Sequence, residues 1–230
     1  MEDYKKIEGD IHSLINKVEG NLSIGVSETA AAYLLPQALY SFRIKFPDVS
    51  IEVLSFSSED IKTGIMNNRI DIGIAEDFFV DEGFYAEPIA EDDVVLIASE
   101  NSPLFLKNKM SRAELAKQPF IFPETGSSAR MFLNKFIAAS GINPDDLNVA
   151  MTTDNPELTI KMVQAGIGIA FLYKWAAFGA LKEGVIRVVD MGGKKLSRQF
   201  YFICRDKELP AAVARAFKKF IIEYRFFEPF

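Results

Sequence analysis

Ile70-Asp71-Ile72-Gly73-Ile74-Ala75 is a short apolar run, rich in isoleucine and broken by one acid and one glycine. A run of this length and make-up reads as a buried strand. Its surroundings agree. Upstream, Leu22, Ile24 and Val26 alternate as a strand, which passes through Ser27-Glu28-Thr29 into a helical pattern over residues 29 to 46. Leu34, Leu35, Ala38, Leu39 and Phe42 share one face of that helix. Ile51 and Val53 mark the next strand, and Ile61, Ile65 and Met66 a short helix. Strands separated by helices predict βαβ units, a parallel sheet and right-handed crossovers.

The second half repeats the plan. Val94 to Ser99 reads as an apolar strand ending in the turn signal Glu100-Asn101-Ser102-Pro103. Ser111-Arg112-Ala113-Glu114 is a capping box, Phe120 to Phe122 a strand, and residues 127 to 140 a helix ending at Gly141. Asp154-Asn155-Pro156-Glu157 opens another helix, with Asp154 expected as N-cap and Pro156 tolerated in the first turn. Ile167 to Leu172, Val185 to Val189 and residues 197 to 204 read as strands. Residues 210 to 224 read as a helix with Val213, Phe217, Phe220 and Ile221 inward. The closing strand and helix suggest a return to the first half. The expected division is 20–98 with 200–230 as lobe I and 99–199 as lobe II. Two crossing strands would join the lobes and leave a cleft.

The chain has 230 residues, 49% hydrophobic and 25% charged, ordinary for a globular protein of one large or two small domains. Its net charge of −6 makes it a poor nucleic-acid binder by itself, because phosphate contacts need clustered Lys and Arg. Lys194-Lys195 and Lys218-Lys219 read as solvated surface. One cysteine, Cys204, excludes an internal disulfide and fits a reducing compartment. No apolar run approaches the roughly 18 residues of a membrane span. The N-terminus lacks a signal-peptide pattern, so a cytoplasmic location is expected.

Tyr4, Ile7, Ile11, Leu14 and Val18 fall at alternating spacings of three and four, the seam of a helix packing on one partner helix. Residues 1–19 read either as an amphipathic helix on its own domain or as the remnant of a dimerising linker helix. The seam is too short to dimerise alone.

Catalytic chemistry has little support. His12, the only histidine, lies on that first helix, far in sequence from Cys204. One His and one Cys make neither a nucleophilic pair nor a zinc site persuasive, and no cofactor or metal is expected. The carboxylates Glu91-Asp92-Asp93 and Glu76-Asp77 read as solvated loops. Gly166-Ile167-Gly168-Ile169-Ala170 resembles a nucleotide loop but precedes a strand, whereas the dinucleotide fingerprint follows one. A helix C-cap glycine entering a buried strand fits better.

Two polar loops carry more information. Ser27-Glu28-Thr29 precedes the first long helix, and Thr125-Gly126-Ser127-Ser128 holds the corresponding place in the second half. Unpaired N–H groups at helix N-termini bind carboxylate, sulfate or phosphate. Plain capping is the other reading of either loop. Glu28 opposes an anion, and Arg130 would compensate if turned inward. Asp77 and Tyr173 are further candidates; Tyr173 and Trp175 would wall a cleft or fill the core.

The ordered set of Ser27-Glu28-Thr29 before Leu34-Leu35-Pro36, then Phe46-Pro47-Asp48-Val49, Asp71-Ile72-Gly73-Ile74 and Ala165-Gly166-Ile167-Gly168-Ile169-Ala170 resembles the effector-binding domain of LysR-type transcriptional regulators, over about residues 21 to 224. The resemblance implies an α/β fold of two Rossmann-like lobes similar to type 2 periplasmic binding proteins, with a small-molecule effector held between the lobes. By position, effector contacts map onto Ser27, Thr29, Ser99 and Thr125 to Ser128. The family usually forms homodimers or homotetramers and reads DNA through an N-terminal winged helix-turn-helix, for which there is no room before residue 21. The expected function is therefore sensing and dimerisation rather than catalysis, with a small organic or inorganic anion as effector. A transport-type solute-binding protein that has lost its signal peptide is the alternative. An enzyme on the same fold is the third reading.

Overall fold

A computed structural model describes residues 18–76, 83–106, 111–139, 141–190 and 196–226, without the side chains of Ser58, Glu59, Arg112 and Ser128. The helical seam expected over residues 4 to 18, with His12, lies outside the described residues except for Val18, as do Asp77, Lys194 and Lys195. The chain divides into two compact units, residues 1–90 with 199–227 and residues 91–198 with 228–230.

In the first unit, β1 (Gly20–Val26) lies between β2 (Val49–Ser55) and β3 (Ile72–Glu76), parallel to both. β3 pairs antiparallel with β9 (Leu196–Cys204). The helix leaving β1 starts with a turn of wider π geometry over Ala30–Leu34 and continues as α1 (Leu35–Lys45). Leu35 N–H donates to Ala30 O, five residues back. Pro36 accounts for this: it has no N–H for the carbonyl four residues before it and its ring would crowd that carbonyl. The uniform helix expected from the apolar pattern is thus corrected by one proline inside it. The buried face, Leu34, Leu35, Ala38 and Phe42, is as the spacing predicts.

α2 (Ser58–Met66) packs on β1 and β3. Gly25 of β1 and Gly73 of β3 are partners in register. A Cβ on Gly25 would meet Ile70 Cδ1 at 2.2 Å, and one on Gly73 would meet Ile61 Cγ2 at 2.4 Å. The glycine in the Ile70–Ala75 run therefore leaves room for α2. The acid in that run is tied to β1: Asp71 Oδ2 accepts from the amide and hydroxyl of Ser23 at 2.7 and 2.8 Å. On α1, Phe42 meets Phe217 of α7 (Ala212–Glu223) edge-on, centroids 5.0 Å apart.

In the second unit, β4 (Tyr85–Ser99) pairs antiparallel with β7 (Ala170–Tyr173) and β8 (Ile186–Val188). β5 (Phe120–Phe122) pairs parallel with β6 (Val149–Thr152), and Phe120 makes a parallel bridge to Ile169. Strand alternation sorts two cores. Leu96, Ala98, Phe120, Phe122, Ile169 and Phe171 pack with Leu133 and Ile137 of α4 (Ser128–Ala139). Ile97, Ile121 and Ala170 pack instead with Ile160 and Val163 of α5 (Pro156–Gln164) and Ala177 of α6 (Lys174–Lys182). The capping box opens α3 (Arg112–Ala116) as expected.

The Gly166-Ile167-Gly168 stretch is a helix end. Gly166, at φ +77°, donates to Val163 O, and Ile167 N–H donates to Met162 O, the paired bonds of a glycine-ended helix. At the start of α5 the expected cap is corrected. Asn155, not Asp154, accepts from Leu158 N–H, while Asp154 Oδ1 accepts from Glu124 N–H at 3.0 Å. A residue thirty positions away has claimed the carboxylate that local sequence assigns to the helix.

Phe217 is fully buried, so Phe217→Ala is expected to cost about 3–5 kcal/mol in urea denaturation. Tyr40→Ala, at a side chain 67% exposed, should stay within about 0.5 kcal/mol. The buried Cys204 thiol is pushed up to about 11 by burial. It should remain neutral and resist a disulfide reagent at about pH 8, reacting only on unfolding.

Candidate functional site

The parallel strands β1, β2 and β3 end together, and their order turns back on itself at β1, where open α/β sheets bind ligands. A recess of about 450 Å³ lies there, lined by Ser27, Glu28, Thr29, Ser55, Phe56, Ser57, Asp60 and Glu76. Ser27 is 6% exposed. Its hydroxyl donates to the Glu76 carboxylate and accepts from Ala30 N–H. Ser57 caps α2 and its hydroxyl donates to Asp60 at 2.7 Å. The structure thus brings Ser27, Glu28 and Thr29 together with five residues that sequence reasoning missed. A usable signal existed: Val26 and Ser55 are register partners, and parallel βαβ strands bring their carboxyl-end loops side by side.

In the second unit the Thr125–Ser128 loop leaves the carboxyl end of β5. Thr125 and Gly126 are exposed, with Gly126 at φ +92°. Ser127 caps α4, its hydroxyl accepting from Arg130 N–H at 3.1 Å. Arg130 turns back on β5, donating to Pro123 O at 3.1 Å with its guanidinium 4.3 Å from the Phe122 ring centroid.

Ser99 is not brought to this loop. β5 runs parallel to the β7 segment and β4 antiparallel to it, so Ser99 at the carboxyl end of β4 lies at the opposite end of the unit from Thr125. Its hydroxyl donates to Gln164 O at 3.4 Å. The chain enters the second unit at Glu91, within β4. Glu91-Asp92-Asp93, expected as a solvated loop, is the middle of that strand.

Asp92 is buried there. It pairs with Arg198 at 3.2 Å, the side chains 0% and 3% exposed, and accepts from Trp175 N–H in the first turn of α6. The Arg198 guanidinium lies 3.2 Å from the Tyr173 ring centroid, so Tyr173 and Trp175 are bound into this charged cluster. Burial pushes the Asp92 carboxyl above its ordinary range, while Arg198 and the Trp175 N–H pull it down. Among the described residues, no three His, Cys, Asp or Glu are grouped to hold a metal ion, and no helix is long and apolar enough to cross a membrane.

The family pattern of the LysR substrate binding domain matches residues 16–225. The chain belongs to this family. A probable RuBisCO transcriptional regulator of Trichormus variabilis is 26% identical over 215 residues, 92% of this chain and 64% of the relative. The uncharacterized HTH-type regulator YeiE of Escherichia coli is 28% identical over 207 residues, 90% of this chain and 69% of the relative. The chain thus spans about two thirds of the curated relatives it matches.

Solved LysR-type domains share the fold, that of type 2 periplasmic binding proteins. The cofactor-binding domain of the Cbl regulator has a TM-score of 0.74 at 23% identity, covering 90% of this chain and 89% of that one. The regulatory domain of CcmR from Synechocystis, in complex with 2-PG, has a TM-score of 0.72 at 20% identity, covering 89% and 96%. The effector-binding domain of QuiR, in complex with shikimate, has 0.69 at 19%, covering 90% and 97%.

Arg198→Met would leave Asp92 buried without its cation, at an expected cost of about 3–5 kcal/mol. A carboxyl whose folded-state pKa lies above its unfolded value loses stability as pH rises through it, and removing Arg198 lifts it further. The deficit of the variant in urea denaturation should therefore grow as pH is raised and shrink as it is lowered toward protonation of Asp92.

Proposed function

We propose that this chain is the effector-sensing part of a LysR-type transcriptional regulator: it binds a small molecule and transforms nothing. The observation that carries the reading is the recess at the carboxyl ends of β1, β2 and β3, present in a chain of the LysR substrate-binding family. The ligands held by the related CcmR and QuiR domains support it. Ser27, Glu28 and Thr29 contribute effector contacts in the first unit, and Thr125, Gly126, Ser127 and Ser128 in the second. An anionic group on the effector suits the second loop, where the twelve-residue helix α4 presents its N-terminus. The whole protein works in the cytoplasm, as a homodimer or homotetramer, and contacts DNA through a domain outside these residues. The longer regulator relatives support the DNA-contacting part of this reading alone.

A thermal-shift screen of small organic acids, amino acids, sulfate and phosphate tests the reading. A ligand that binds only the folded state adds about 2.7 kcal/mol at a hundred times its Kd. Hits should raise Tm and lose the effect in Ser27→Ala and Thr125→Ala. A hit kept by both variants would place binding elsewhere.

A further inference from the structure

Among the described residues, the recess at the ends of β1, β2 and β3 is lined by three carboxylates, Glu28, Asp60 and Glu76, and by no lysine, arginine or histidine. Its other polar side chains are the hydroxyls of Ser27, Thr29, Ser55 and Ser57, and Phe56 supplies an aromatic wall. The Ser27 and Ser57 hydroxyls donate toward the acids. Those bonds occupy their hydrogens and leave the recess richer in acceptors than in donors.

The helix that starts beyond Ser27 offers about half a positive charge at its N-terminus. Part of that end is already engaged: Ala30 N–H donates to Ser27 Oγ and Ala31 N–H to Ser27 O. Arg69 lies over the Phe56 ring, 5.1 Å from its centroid, and is not a lining residue. Half a charge, partly engaged, does not offset the carboxylates of Glu28 and Asp60. A carboxylate or oxyanion placed here would meet like charge, whereas an ammonium group has three donors and no acceptor. It would also be attracted to an aromatic face.

Resting on the reading of this recess as an effector site, we propose that the effector presents a protonated amine to it, so that the ligand class is an amine or amino acid. A plain carboxylic acid or inorganic oxyanion lacks the group that the first unit recognises.

The test measures binding by thermal shift and titration calorimetry on the chain, with the proteinogenic amino acids and putrescine against succinate, sulfate and phosphate. Each hit is repeated on a Glu28→Gln/Asp60→Asn variant. Both side chains are exposed, and the ligand-free Tm of the variant reports that the fold is intact. An amine-bearing probe should bind, and roughly tenfold or more weakly to the variant. Its counterpart with hydroxyl in place of the amine should fail to bind. No binding by any amine or amino acid, or an amine hit of unchanged affinity in the variant, overturns the proposal. Succinate binding that tightens in the variant would overturn the amine while keeping the recess as the site. A hit indifferent to this variant, to Ser27→Ala and to Thr125→Ala would remove the site as well.

Discussion

Close packing over the paired glycines of β1 and β3, by Ile61 of α2 on Gly73 and by Ile70 on Gly25, governs the first unit. Gly25 and Gly73 face each other in register, and Ile61 and Ile70 occupy the space that side chains would take. Well-packed interiors tolerate little extra volume, so the helix sits close and the two strands keep one register. That register fixes which residues meet at the strand ends. Ser27 comes two residues after Gly25 and Glu76 three after Gly73, and the serine hydroxyl bonds the carboxylate across the gap. The recess is thus a consequence of packing beneath it, with Ser55 and Glu76 on strand ends and its other polar groups in the connections and first helical turns that follow.

The second unit depends on a different kind of constraint. Asp92 and Arg198, each close to where the chain passes between units, form a buried pair. Burying two charges costs more than an exposed pair would, and the pair persists only when other groups complete it. Here Trp175 N–H and the Tyr173 ring do so. The carboxylate also lies at the start of α6, where the helix dipole favours negative charge. Removal of either ion leaves the other stranded, which makes this stretch of β4 and β9 intolerant of change.

A sensing role asks little reactive chemistry of the chain and much positional control. The groups around the recess are hydroxyls and carboxylates on strand ends and first turns. The one thiol is buried and held neutral by its surroundings. What such a domain discriminates is set by the sign and direction of a few polar groups, so the acidic character of the recess bears directly on ligand class.

Much of this was legible in the residues. The alternation of Leu22, Ile24 and Val26, the capping box at Ser111, the helix end at Gly166 and the inward face of α7 follow from periodicity and capping, which act within a few residues. The order of the four motifs was enough to point to the family. Tertiary structure alone decided the rest. Asp154 bonds Glu124 N–H instead of capping its own helix. Asp92 is buried because Arg198, far along the chain, meets it. Ser99 is turned away from Thr125 by an antiparallel pairing. Ser55, Phe56, Ser57, Asp60 and Glu76 join Ser27 only once three strands lie parallel. Local pattern determines which element forms and which face it buries. The partner of a polar group depends on residues brought near by the fold, and no window of sequence contains them.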